Sequence, residues 1–155
     1  MGFLDSIKAK HKTNEEARGD KIVSLQVEYM GGYGEKKQAK GSLTFYQKQV
    51  EFKNPMLNKR LWFTLPSSEI SEIAIEGKDE VNRRVTVTRL LAIGIFAFAL
   101  KKKDQEKEGF ITLVLKDKQE VVFHIEGKSP MELKSELLQV ISIINQQKTS
   151  GNNQN

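Results

Sequence analysis

Two histidines, His11 and His124, are the side chains best suited to move a proton near neutral pH, and their settings argue against that use. His11 stands among lysines near the N-terminus. His124 lies between Phe123 and Ile125 in a strand-like run, where a lone histidine more often occupies a sheet face than serves as a base. No H-x-x-H or H-E-x-x-H spacing occurs, so a metal site would have to be built from scattered carboxylates. Cysteine is absent, which removes thiolate ligands, thiol nucleophiles and disulfides together and fits a reducing compartment. Ser67, Ser68, Ser71 and Ser129 lie in no nucleophile-elbow pattern. Glu69 and Glu72 read as surface charges beside a turn. Gly31, Gly32 and Gly34 are not followed by the lysine-serine or lysine-threonine ending of a phosphate loop. The expectation is a protein that is not an enzyme, with no cofactor and no metal.

Binding chemistry is what remains. The 155 residues carry a formal charge of +5 and a pI of about 9.3. That balance favours anionic surfaces without naming one. Lysines gather at Lys8, Lys10 and Lys12, at Lys36, Lys37 and Lys40, and at Lys101, Lys102 and Lys103. The first group accompanies Phe3, Leu4 and Ile7, which share one helical face. Such a segment can lie on a membrane, its apolar side chains inserted and its lysines near the head groups; the alternative is a frayed terminus or a helix that caps the domain edge. Met1-Gly2 with Ser6 also matches the N-myristoylation pattern. Thr13 to Asp20 reads as a polar linker.

The third lysine group closes a distinctive run. Arg83-Arg84-Val85-Thr86-Val87-Thr88-Arg89 looks like a strand, and residues 90–100 that follow have no polar side chain. The run is short of the roughly 20 residues a membrane-spanning helix needs. It suits a strand buried on both faces that bends at Gly94. It also suits an apolar loop, rimmed by Arg89 and Lys101 to Lys103, that dips into a membrane or docks a partner. Both readings stay open. Nucleic acid fits less well, because Phe45, Phe52, Phe63 and Phe123 fall at core positions rather than along a basic stripe.

The elements that must position these residues are mainly strands. Apolar residues alternate at Val23, Leu25, Val27 and Tyr29, at Leu43 and Phe45, at Val50 and Phe52, and at Leu61, Phe63 and Leu65. Ile70, Ile73 and Ile75 follow a turn, and Lys78 to Asn82 reads as a charged loop. Ile111, Leu113 and Leu115 pair with Val121, Phe123 and Ile125 across the turn Asp117-Lys118-Gln119. Ser129-Pro130-Met131-Glu132 is a capping box. It opens a helix striped by Leu133, Leu137, Val140, Ile141 and Ile144 through about Gln147.

Short strands in hairpins followed by one amphipathic helix resemble a pleckstrin-homology-like (PH-like) barrel. Gly41-Ser42-Leu43-Thr44-Phe45, Val50-Glu51-Phe52 and Phe63-Thr64-Leu65-Pro66 with Glu69-Ile70 look like the strand pattern of bacterial PH-like and GRAM-like domains. The run from Arg84 through Lys103, with Gly127-Lys128-Ser129-Pro130, is similar to a stretch of uncharacterised bacterial members. The resemblance covers residues 21–147. It implies a mainly β (α+β) barrel of about seven antiparallel strands capped by a C-terminal helix. It also implies a non-catalytic scaffold of the kind that binds lipids or peptides. The phosphoinositide-binding basic-x-arginine element is not matched, since the loop holding Lys36, Lys37 and Lys40 lacks that arginine.

The organisation expected is therefore a basic amphipathic segment and linker at 1–20, the domain at 21–147 and a disordered polar tail at 148–155. The function expected is association with an anionic lipid surface or a membrane-linked partner at the inner face of the membrane, in the cytoplasm. The candidate contacts are Phe3, Leu4, Ile7, Lys8, Lys36, Lys37, Lys40, Arg89 and Lys101 to Lys103. The rival is a protein-interaction domain that adds a strand at a sheet edge or forms a homo-oligomer there.

Overall fold

The first strand, β1 (Lys21–Gly31), sits mid-sheet because its alternation gives it one fully buried face: Leu25, Val27 and Tyr29 are buried while Ser24 and Gln26 are exposed. The computed structural model describes residues 2–34, 38–54, 60–84 and 107–152. Among these, β1, β2 (Ala39–Tyr46), β3 (Gln49–Asn54), β4 (Arg60–Pro66), β5 (Ile70–Glu76), β6 (Glu108–Leu115) and β7 (Glu120–Glu126) form one sheet. Their order is β4-β3-β2-β1-β7-β6-β5, and every pairing is antiparallel. Two meanders, β1 to β4 and β5 to β7, are thus joined where β1 pairs with β7, Glu28 opposite His124 and Tyr29 opposite Phe123.

The inner face of the sheet holds an aromatic cluster. The Tyr29 ring lies 5.8 Å from Phe52, 5.5 Å from Phe63 and 5.8 Å from Phe123. Burial pushes the Tyr29 hydroxyl pKa up, and hydrogen bonding to the Tyr33 backbone opposes that shift. The hydroxyl accepts from the Tyr33 amide at 2.9 Å and donates to the Tyr33 carbonyl at 3.1 Å. Gly41 makes room for this cluster. A Cβ there would run into the Lys53 carbonyl and the Phe52 ring.

The capping box forms as the sequence implies. Ser129 Oγ accepts from the Glu132 amide at 3.3 Å and the Glu132 carboxylate accepts from the Ser129 amide at 2.7 Å. Those hydrogen bonds hold the Glu132 carboxyl below its usual range. The helix breaks at Leu137, giving α3 (Pro130–Glu136) and α4 (Leu138–Asn152). Leu133, Leu137, Val140 and Ile144 are buried against the sheet, while Ile141 is only partly buried.

Three segments differ from expectation. The helix α1 (Phe3–Arg18) continues through Thr13 to Arg18, which read as a linker, because its last turn has tertiary partners. Lys78 to Arg84 forms the helix α2 in place of a charged loop running into a strand. The Glu80 carboxylate accepts from the Gly77 amide at 3.0 Å, and Val81 is fully buried, so the turn is capped and anchored. Finally, α4 runs to Asn152, beyond the end of its apolar stripe. The Thr149 and Ser150 hydroxyls donate back to the carbonyls of Asn145 and Gln146, one turn earlier.

Candidate functional site

Helix α1 is fastened to the sheet at one end only, as far as its described contacts show. The Arg18 guanidinium lies 4.5 Å over the Tyr46 ring, and its Nη1 is 3.7 Å from Glu51 Oε1. Glu51 is 5% exposed and also faces Lys53 Nζ at 3.4 Å. The Lys48 amide donates to the Arg18 carbonyl at 3.0 Å, and Lys48 Nζ donates to the Glu16 carbonyl at 3.3 Å. Gly19 ends the helix with φ 73°, its amide donating to the Glu15 carbonyl. Towards the N-terminus such ties are missing among the described contacts. Leu4 is 71% exposed, Ile7 is partly buried, and Lys8, Lys10 and Lys12 are exposed.

Spacings of three and four residues place Leu4, Ile7 and Lys8 on one face of α1, and Phe3 begins the same helix. Lys40 is not part of that group. It lies near the start of β2, whereas the Tyr46 end of the same strand receives Arg18. In the sheet register Lys40 stands opposite Glu28. Lys36, Lys37, Arg89, Lys101, Lys102 and Lys103 lie outside the described residues, as does the apolar run 90–100.

The register also builds a cluster that sequence reading missed. Lys40, Glu28, His124 and Phe110 lie opposite one another in turn across β2, β1, β7 and β6, and Glu108 stands opposite Glu126. A cleft of about 260 Å³ opens here, with Glu28, Lys40, His124 and Glu126 in its wall. His124 is 1% exposed. Its Nδ1 is 3.9 Å from Glu28 and its Nε2 is 3.9 Å from Glu108. Those separations are too long for hydrogen bonds and would be ion pairs only with a protonated imidazole. Burial pulls the His124 pKa down; Glu108, Glu28 and Glu126 push it up, Lys78 pulls it down, and burial prevails. The imidazole is therefore neutral at pH 7. Among the described residues, no group of three or more His, Asp or Glu is placed to hold a metal ion.

This cluster has a consequence for stability. A histidine whose pKa is lowered on folding stabilises fully above its unfolded value, about 6.5. That contribution is lost as pH falls through the folded pKa, because the unfolded chain binds the proton more readily. We expect unfolding free energy to decline on acidification from about pH 6.5, and the decline to flatten in His124→Gln. Chemical denaturation at a series of pH values checks it. An unchanged slope in the variant would assign the pH dependence elsewhere.

Fold and surface together define a mainly β domain with a C-terminal helix packed on the sheet and an exposed N-terminal helix. In comparison with known proteins, no family model matches this chain and no curated protein does so. No helix among the described residues is long and apolar enough to cross a membrane.

Proposed function

We propose that this chain is a non-catalytic PH-like binding module that associates with anionic membrane surfaces, with the N-terminal half of α1 as its contact. Two meanders joined through β1 and β7, followed by a helix packed on the sheet, support the PH-like reading. One observation carries the functional reading. The helix bears an exposed Leu4 and exposed Lys8, Lys10 and Lys12, and its described tertiary ties gather at its last turn.

Isolated helices shorter than about 12–15 residues are marginal in water, and most helical stability in proteins comes from packing an amphipathic face. The N-terminal half of α1 has such a face and gains little from the sheet. An anionic bilayer supplies what is missing. Leu4 and Ile7 enter the interface beside Phe3, and each lysine near the surface contributes about 1 kcal/mol. The module works peripherally, at the inner face of the membrane in the cytoplasm, and the sheet carries whatever else it binds.

Leu4→Glu with Ile7→Glu in the full chain tests this. These substitutions remove the insertion face from side chains that contribute little to the core. Two apolar anchors, each worth about 1.5–3 kcal/mol when fully buried, are replaced by repelled charges, so binding to anionic vesicles should weaken at least about tenfold. The melting curve should change little. Undiminished vesicle binding by the double variant would move the contact away from α1.

A further inference from the structure

We propose that the cleft between the start of β5 and the C-terminal half of α4 binds an amphipathic anion, one anionic head group carrying an apolar chain. The cleft measures about 470 Å³, within the range of roughly 300–1,000 Å³ usual for small-ligand sites. Ile70 and Ile144 line its interior, and Lys116 and Lys148 approach it from the β6–β7 turn and from α4. No carboxylate belongs to its described lining.

Both lysines are outside the ion pairs that two other lysines make. Lys53 is paired with Glu51, and Lys128 with Glu136. Neither Lys116 nor Lys148 has an ion-pair partner among the described residues, and both face the same cleft. The cleft also sorts its smaller polar groups. Ser71 is committed, its hydroxyl donating to the Val114 carbonyl at 3.0 Å. Ser68 and Gln147 also line the cleft and make no side-chain hydrogen bond among the described residues, which leaves their donors for a ligand.

The turn beneath Lys116 is fixed, since its amide donates to the Glu69 carbonyl at 2.9 Å. The C-terminal end of a helix presents about half a negative charge. Two full positive charges exceed it, so the site retains a net attraction for an anion. A chain attached to that anion can lie along Ile70, Ile144 and the methylene stems of the lysines. An inorganic anion would leave the apolar part of the cleft in water and is therefore expected to bind more weakly.

Amide-resolved NMR of the full chain, titrated with octanoate, tests the assignment, with acetate and octanol as the head-only and chain-only probes. Octanoate should shift the amides of Ile70, Ser71, Lys116, Ile144 and Lys148, and both controls should bind at least tenfold more weakly. Lys116→Gln with Lys148→Gln, at exposed positions, should weaken octanoate at least tenfold while leaving vesicle binding through α1 intact. Conversely, the Leu4 and Ile7 variant should keep the octanoate shifts, so the two proposals can fail separately. A parallel titration with vesicles containing anionic lipid distinguishes the source. Shifts of the cleft amides there, without a response to octanoate, identify the ligand as a membrane lipid and uphold the site. Shifts elsewhere, equal binding of acetate, an indifferent double variant or silence in both titrations would overturn it.

Discussion

Phe52→Ala should destabilise the domain by about 3–5 kcal/mol, the usual cost of truncating a buried phenylalanine. Phe52 is fully buried on β3, with ring centroids of Tyr29, Phe63 and Phe123 at 5.8, 5.5 and 5.7 Å. These partners come from β1, β4 and β7, so the ring links the first meander to the last strand of the second. Relaxation is hindered because Gly41 has no side chain with which to fill the vacated space. A loss of this size is a large share of the roughly 5–15 kcal/mol available to a native domain. Denaturant titration should show a lower midpoint with an unchanged slope. A loss below about 1 kcal/mol would mean that the aromatic cluster is not the centre of the core.

The second large effect is expected at Gly32, just past the end of β1. Its φ is +103°, and a Cβ there would collide with the backbone carbonyl of Glu120. The Gly32 carbonyl also accepts from the Gln119 side-chain amide, so the segment is held against the start of β7. Gly32→Ala combines backbone strain with overpacking, each worth about 1–3 kcal/mol, and should cost of the order of 3 kcal/mol. Gly34 is the internal control. Its φ is +62° and nothing lies within 4 Å of its would-be Cβ. Gly34→Ala should cost about 1 kcal/mol. Thermal unfolding of the two variants checks the difference, and equal losses would show that close packing on Glu120 plays no part.

Much of the sheet was legible because period-two alternation is a local signal. Leu25, Val27 and Tyr29, or Val121, Phe123 and Ile125, declare their faces without reference to the rest of the chain. The capping box at Ser129 and Glu132 is equally local. The missed features depend on distant partners or on weaker local cues. Thr13 to Arg18 looks like a linker until Arg18 meets Tyr46 and Glu51, which belong to strands far along the sequence. At α2 the cues are present, a glycine followed by Asp79 and Glu80 in the first turn, but Val81 is a lone apolar anchor and gives no helical stripe.

The candidate surface shows the same division. The spacing of Phe3, Leu4 and Ile7 predicts a common helical face directly, and all three positions fall within α1. The His124 cluster could not be read this way, because Glu28 and Glu108 reach the imidazole only through the register of β1, β7 and β6. Even so, Glu108 opposite Glu126 follows once the β6–β7 turn is placed at Asp117 to Gln119, which the sequence does allow.

The most direct test of membrane association through α1 is co-sedimentation of the full chain with anionic and with neutral vesicles, at low and at high salt. The account predicts binding to the anionic vesicles that fades steeply as salt shortens the Debye length from about 10 Å at 0.1 M to about 3 Å at 1 M, with little binding to neutral ones. Equal binding to both kinds of vesicle, or none to either, would contradict it; in the second case the search would turn to a protein partner.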